Sequence, residues 1–515
     1  MRILLLIAIV LNTTAIRAQP SAVTLSEPFP EISQEGCRII LADNGFTFFL
    51  QIARDSINVR SYKRERTPLG SNAIDKKSLG LSRVAFMEVI GMGDELLLFI
   101  QNEGKLNRVH VDASTCAISS QSIIDSDAYA CHVEKSLFGD YYFVSSVSAV
   151  GKVNYRLFSA DHKEVSLATH TSSEDYSLTK DIGAYLHNDV LIVASYGNRK
   201  NSDKGLLIVS KLKAGDTKFS VAMADCEQDL FHAMPNIGYN PGNGKLYFLT
   251  VSQGSSHTKK RMNTKKTTTD FTAYLSVFDP ANQGSVKTIV VENTKANDHL
   301  RRQPGQKDDL VAVPKEMVVN EDNSVVVISE EVIQETIDGQ NMNVNQVGYA
   351  HGPHYRYPSA NSQRLRLNNI AITTFNDAGD EISGQVVPKA QLLDVKERHM
   401  PYSSKVIHQP IEFYSYKYLS TEKGHYVIFN DFEENLENYG KKKVNVVDQV
   451  SNTNTVCHDL KQKKQYLLYG TSGGKFTFTD ITTIAFSKKS KTYAALVTQR
   501  ERRNKVSRIA WVVLE

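Results

Sequence analysis

Tryptophan is nearly absent: Trp511 is the only one in 515 residues. That excludes a Trp-Asp dipeptide series and any repeating Trp-bearing turn, and it leaves few aromatic platforms for sugars. The single Gly-Gly pair, Gly473-Gly474, likewise excludes a kelch-like series. Cysteine is sparse: Cys37, Cys116, Cys131, Cys226 and Cys457 are odd in number and far apart, so they do not read as a dense disulfide framework. The dipeptides Cys131-His132 and Cys457-His458 have a metal-like look. Neighbours on a strand point to opposite faces, so no metal and no cofactor is expected from either. Charge of one sign is lacking too. Sixty basic against 56 acidic residues leave +4, too little to suggest a polyanion partner for the chain as a whole.

Long apolar runs are confined to the start. "MRILLLIAIVLNTTAIRAQP" has a basic Arg2, a short apolar stretch and Ala18 before Gln19, the pattern of a secretory signal peptide over residues 1–18. Its core is shorter than the ~20 residues a membrane span needs. Ile16 is larger than usual for its place before the cleavage point, and no Cys follows the apolar stretch to carry a lipid. The expectation is a soluble, exported chain of residues 19–515, periplasmic or extracellular, with no membrane span and monomeric. Loss of Arg2 and Arg17 with the leader lowers the charge from +4 to +2.

Helical periodicity is scarce as well. What fills the chain is short runs of Val, Ile, Leu, Tyr and Phe separated by Gly, Asn and Asp, which read as strands. Eight runs stand out as buried strand centres: "TFFLQI" at 47, "LLLFI" at 96, "YYFVSS" at 141, "VLIVAS" at 190, "LYFLTV" at 246, "VVVISE" at 325, "YVIFND" at 426 and "YAALVT" at 493. The first four are 45 to 49 residues apart. A strand precedes each centre across a tight turn, and another follows and ends in an acidic or glycine-rich turn, as in "IAITTFNDAGD". A meander of about four strands at this period is a propeller blade. The chain therefore reads as all-β, a single β-propeller of seven or eight blades, with two stacked β domains as the rival. "SAVTLSE" near residue 23 can supply an outer strand to the last repeat.

With the strands of each unit labelled A to D and the centre as B, the extra length of the later units falls between B and C. Insertions are expected at 252–271, 333–368 and 431–442. Long connections in compact domains often carry function. The first holds Lys259, Lys260, Arg261, Lys265 and Lys266, candidates for an anionic partner, but without the interleaved aromatics of a nucleic-acid platform. No nucleic acid is expected. The second holds "HGPHYRYP". His351, His354, Tyr355, Arg356 and Tyr357 suit ligand contact, while Gly352-Pro353 rules out a helical zinc motif. The third begins at Asn430-Asp431. Counted as a calcium loop from Asp431, it has Leu436 where Gly belongs and Lys442 where Glu belongs. It reads instead as a strand exit into a short helix, with Asp431 capping and Glu433 and Glu434 in the first turn. "GTSGG" at 470–474 matches a nucleophile motif in form. A strand-like stretch follows it where a helix is required, so Ser472 reads as part of a turn.

Several of these motifs occur together: Asp377-Ala378-Gly379-Asp380, Pro388-Lys389-Ala390-Gln391, Tyr402-Ser403-Ser404, and Phe429-Asn430-Asp431 with Asn435, preceded by Glu330-Glu331 at an acidic strand exit. Residues 310–445 thereby resemble a family of uncharacterised exported bacterial proteins with β-meander repeats. The Trp that often precedes P-K-x-Q in that family is missing here. The resemblance implies export and β repeats and brings no activity. The sequence itself selects no reaction. Its first reading is an exported binding or interaction module for an unknown protein or glycan, using the B–C face and the candidates Glu330, Glu331, His351, His354, Tyr355, Arg356, Asn430 and Asp431. Its alternative is a hydrolase or lyase acting on a glycan or peptide, with Glu330, Glu331, Asp431, His351 and His354 as acids and bases.

Overall fold

In a computed structural model the described residues are 23–513, apart from 31–35, 54, 78–85, 103–104, 126–128, 137–138, 150–151, 201–204, 227–235, 262–263, 281–285, 303–308, 321, 338–361, 396–412, 422–423, 439–443, 471–474, 488–490 and 503. In chain order the strands are β1 (Val23–Leu25), β2 (Phe29–Pro30), β3 (Cys37–Leu41), β4 (Thr47–Ile52), β5 (Ser56–Tyr62), β6 (Pro68–Asp75), β7 (Phe86–Met92), β8 (Glu95–Asn102), β9 (Lys105–Asp112), β10 (Ile118–Asp125), β11 (Tyr129–Lys135), β12 (Tyr141–Ala149), β13 (Lys152–Ser159), β14 (Glu164–Thr171), β15 (Tyr176–His187), β16 (Val190–Arg199), β17 (Gly205–Lys213), β18 (Ser220–Cys226), β19 (Asn236–Tyr239), β20 (Leu246–Arg261), β21 (Thr264–Phe278) and β22 (Val286–Val290). Helix α1 (Thr294–Arg301) follows, then β23 (Ala312–Val319), β24 (Val325–Ile337), β25 (Ser362–Phe375), β26 (Glu381–Val387), β27 (Gln391–Val395), β28 (Lys417–Ser420) and β29 (His425–Asp431). Helix α2 (Glu433–Asn438) leads to β30 (Asn454–Asp459), β31 (Lys464–Leu467), β32 (Phe476–Thr479), β33 (Ala485–Ser487), β34 (Thr492–Glu501) and β35 (Asn504–Val513).

These strands form seven antiparallel sheets, and the fold is a β-propeller. All eight apolar centres are second strands of a meander. They fall into seven sheets because two meanders, β19–β22 and β23–β26, are joined through β21 and β24 into one nine-stranded sheet. Two stacked β domains are set aside, since the same antiparallel meander recurs from sheet to sheet. Among the described residues no helix is long and apolar enough to cross a membrane.

The chain divides into two compact units. Residues 35–409 with 440–448 make one; residues 1–34, 410–439 and 449–515 make the other. In the larger unit the B strands are buried on both faces. Leu96 and Leu98 of β8 pack with Phe48 and Leu50 of β4, while Leu97 and Phe99 pack with Tyr142 and Val144 of β12. Successive residues thus serve opposite neighbours, which is why these strands read as unbroken apolar runs and not as alternating ones. The turns recur as well. Arg66, His162 and Gly379 occupy one C–D turn position at φ 70°, 64° and 84°, a left-handed conformation that glycine adopts at least cost.

In the smaller unit the last sheet runs β1-β35-β34-β32, so the fragment near residue 23 is indeed its outer strand, with Val23 opposite Val512 and Leu25 opposite Ala510. Helix α1, in the larger unit, is the element that the apolar pattern does not announce. Its first backbone N–H groups, at Thr294 and Lys295, are satisfied by the carboxylate of Glu381 at 3.1 and 2.6 Å, a negative charge where the helix dipole favours one.

Candidate functional site

The 252–271 insertion is built as a hairpin and not as an irregular loop. β20 and β21 run on through 16 and 15 residues, well beyond the ~5–6 of an ordinary strand. The register sets Lys259 opposite Lys266, Lys260 opposite Lys265 and Arg261 opposite Thr264. Of the sequence candidates here Lys259 is exposed. β24 and β25 extend in the same way, over 13 and 14 residues. The two hairpins then meet: Thr264 to Thr267 pair with Ile337 to Gln334. Glu335, 4% exposed, holds the join. It takes Lys266 at 3.1 Å from one hairpin and Arg366 at 3.0 Å from its own. Burial works against its charge, but Arg366 and Lys266 outweigh that and hold its carboxyl below the usual range.

Glu330 and Glu331 follow the apolar centre of β24, where its register with β25 shifts. Glu330 is fully buried and paired with Lys315 and with Lys389, the latter at 2.6 Å. Burial opposes its ionisation; the two ammonium groups overcome that and depress its acidity range. Lys389 is fixed in turn by the Leu367 carbonyl at 3.2 Å and Gln391 Oε1 at 3.0 Å. The P-K-x-Q segment is therefore the far half of a buried ion cluster. Glu331 is pushed the other way, upward, by burial, against hydrogen bonds from Asn368 and Asn369.

In the smaller unit Asn430 is a structural pin. Its Nδ2 donates to the Phe413 and Thr479 carbonyls at 2.9 and 2.7 Å, and its Oδ1 accepts from Thr479 N at 2.9 Å and Thr455 Oγ1 at 3.1 Å. Asp431 is 2% exposed and accepts from Phe432 N at 2.8 Å and Asn435 Nδ2 at 2.5 Å. α2 starts at Glu433, with Glu433 and Glu434 in its first turn as expected. Asp431 lies one residue ahead of the capping position, still on β29. Glu330 and Glu331 thus belong to one unit and Asn430 and Asp431 to the other. His351, His354, Tyr355 and Arg356 lie outside the described residues, as do Ser472, Tyr402 to Ser404 and residues 1–18.

A second constellation, which the sequence reading did not pick out, lies at the other strand ends of the second and third meanders. In the β8/β9 register Leu97 faces His110 and Phe99 faces Arg108. Glu95, two residues before Leu97, shares their face and reaches diagonally to His110. His110 Nδ1 lies 2.9 Å from Glu95 Oε2. His162, in the C–D turn of the next meander, brings Nε2 to 3.2 Å from the same oxygen. The two imidazoles meet edge to face at 4.6 Å. Arg108, 3% exposed, braces the group: Nε donates to His110 Nε2 at 3.1 Å, and its terminal nitrogens bond Tyr142 Oη, the His162 carbonyl at 3.2 Å and Gln121 Oε1 at 2.7 Å.

Because a guanidinium only donates, His110 carries its proton on Nδ1 in this arrangement and donates to Glu95. Burial penalises the charge of Glu95, yet the two histidine contacts outweigh it and lower its acidity range. Burial, then the neighbouring His110 and Arg108, keep His162 below its ordinary range. Beside the cluster is a cleft of about 370 Å³ lined by Glu95, His110, Asp112 and Gln121 among others. One signal was available in the sequence: Glu95 opens a buried B strand, and His110 interrupts the apolar alternation of "VHV" on the strand beside it.

No protein-family profile and no curated protein sequence matches the chain. Among solved structures it is similar to prolyl oligopeptidase B from Galerina marginata, at 9% identity and TM-score 0.37, over 96% of this chain and 59% of that one. It is also similar to the WD40 domain of SCAP from fission yeast, at 7% identity and TM-score 0.34, over 96% of this chain and 98% of that one. A third is the protein lmo1340 from Listeria monocytogenes EGD-e, at 10% identity and TM-score 0.35, over 77% and 92% of the two chains. At these values the likeness carries no argument about chemistry, and the propeller assignment rests on the sheets themselves.

Proposed function

We propose that the chain is an exported interaction module of the β-propeller type whose working surface is the B–C end of the fifth and sixth meanders, and that its partner there is acidic. The observation that carries this is the joined pair of extended hairpins. Strands this long add backbone that the blade core does not use, and like charges directly opposite each other in a sheet are destabilising. Here Lys259 faces Lys266 and Lys260 faces Lys265 at successive register positions. Glu335 offsets part of this charge at Lys266 but is shared with Arg366, and an anionic surface laid against the hairpin supplies the further negative charge that favours the arrangement.

The test replaces residues 254–270 by Asn-Gly, a two-residue turn that rejoins the strands. Chromatography on heparin and on polyglutamate, with a salt gradient, compares the shortened chain with the parent. The parent should be retained and released by salt. The shortened chain should flow through with its β-sheet circular dichroism unchanged, and Lys259→Glu with Lys260→Glu should weaken retention about tenfold. Equal retention of parent and shortened chain on both matrices refutes the reading.

A further inference from the structure

We infer that Glu95, His110 and His162 form a binding site for one divalent transition-metal ion, zinc being the type case. The three donor atoms, one carboxylate oxygen and two imidazole nitrogens, all lie within 4.8 Å of one another. Two imidazoles and a carboxylate are a ligand set that zinc and its first-row neighbours take, and three protein ligands leave a fourth position for water or substrate. The set is partly sunk in the protein, with side-chain exposures of 39% for Glu95, 20% for His110 and 16% for His162. The cleft bordered by Glu95 and His110 supplies a path for the ion, and Asp112 on its wall adds a second negative charge.

One detail separates an ion site from a plain hydrogen-bond cluster, and it is not at His162. His162 Nδ1 is buried and has no hydrogen-bond partner among the described residues. An ion taken at Nε2 would put the ring proton on Nδ1 without the outer acceptor that usually orients a metal-bound imidazole, so this nitrogen does not discriminate. The discriminating residue is Arg108. Its bond to His110 Nε2 holds the ring in the tautomer that donates from Nδ1, so it opposes a metal at that nitrogen. Metal binding shifts the His110 proton from Nδ1 to Nε2 and turns Arg108 away, at the loss of one of its four bonds; Tyr142, Gln121 and the His162 carbonyl keep it in place. Arg108 is therefore the competitor of the ion, which gives the proposal its own signature.

The test uses the full chain, stripped with a chelator and titrated with Zn²⁺ against a chromophoric indicator and with Co²⁺ by visible absorption. One ion per chain should bind at micromolar affinity or tighter, with cobalt d–d bands of a low-coordinate nitrogen and oxygen site. Glu95→Gln, His110→Gln and His162→Asn should each weaken binding at least about tenfold. Asn is chosen at 162 because it tolerates the left-handed turn. Arg108→Gln should tighten binding, since it removes a cation and the competing donor, and a purely structural cluster has no reason to respond in that direction. The parent chain alone decides the first point: no uptake of either ion overturns the proposal. So does uptake that survives all three ligand substitutions, or that is lost only when His351 and His354 are replaced.

Discussion

Glu330 shows how much a single side chain depends on what surrounds it. A lone carboxylate at zero exposure costs several kcal/mol to ionise, and it stays charged here because Lys315 and Lys389 share it. From the sequence it looks like an acid at the end of a strand, open to a substrate; in the structure it is held between two ammonium groups. Removing the carboxylate leaves two ammonium groups facing each other without their counter-ion. Glu330→Met should destabilise the chain by about 3–5 kcal/mol, read as a lower urea midpoint with unchanged slope. Glu330→Met combined with Lys389→Met should recover part of that loss, because the fully buried ammonium leaves with its counter-ion and Lys315, 16% exposed, keeps some contact with water. Lys389 was legible as part of a P-K-x-Q motif, but its partner was not. The pair is separated by more than fifty residues and only the strand register joins them. The Glu95, His110 and His162 cluster escaped the sequence for the same reason, with 15 and 67 residues between its bonded members.

At the scale of elements, the B strands were fully legible and the joined hairpins were not. A strand buried on both faces writes its burial into consecutive apolar residues. β20 and β21 continue beyond the core as "SQGSSHTKKR" and "TKKTTTD", polar stretches whose pairing depends on a neighbouring hairpin. What fixes that join is Glu335, and it titrates. Its folded acidity lies below the ordinary value of 4.5, so its contribution is present in full above that value and is lost as pH falls through the folded value. Acid should therefore unfasten the join before it unfolds the sheets. Backbone amides of Thr264 to Thr267 and Gln334 to Ile337 should lose hydrogen-exchange protection, relative to their intrinsic rates, as pH falls from the ordinary value of 4.5 through the lower folded value. Glu335→Gln should show the weakened join at every pH. A local readout is required because Glu331, its acidity raised by burial, gains from the same acidification and offsets the change in overall melting. Protection that does not vary with pH at those amides would place the strength of the join in its backbone ladder instead.

For the whole molecule, the question is how a chain of repeated meanders ends without leaving an open edge. In the unit of residues 1–34, 410–439 and 449–515 the last meander takes its outer strand from β1, the first described strand of the chain. Ser26 N donates to the Ile509 carbonyl, Ile509 N to Ser26 Oγ, each at 2.9 Å, and Arg508 to the Ser26 carbonyl at 2.6 Å. β2 then adds Phe29 and Pro30 opposite Ser507 and Val506. Proline cannot donate to a further strand, so the sheet stops there. Residues hundreds of positions apart thus belong to one sheet, and neither end of the chain makes that sheet without the other. Deleting residues 19–30 should expose the outer edge of β35 and the side of Phe29's pocket, lowering the melting temperature by on the order of 10 °C. The same deletion should raise light scattering below the transition, because an unpaired strand edge is a template for another copy. Supplying residues 19–30 as a separate peptide should restore part of the lost stability in a concentration-dependent way. A peptide without effect would mean that the covalent connection, and not the strand pairing, holds the last sheet.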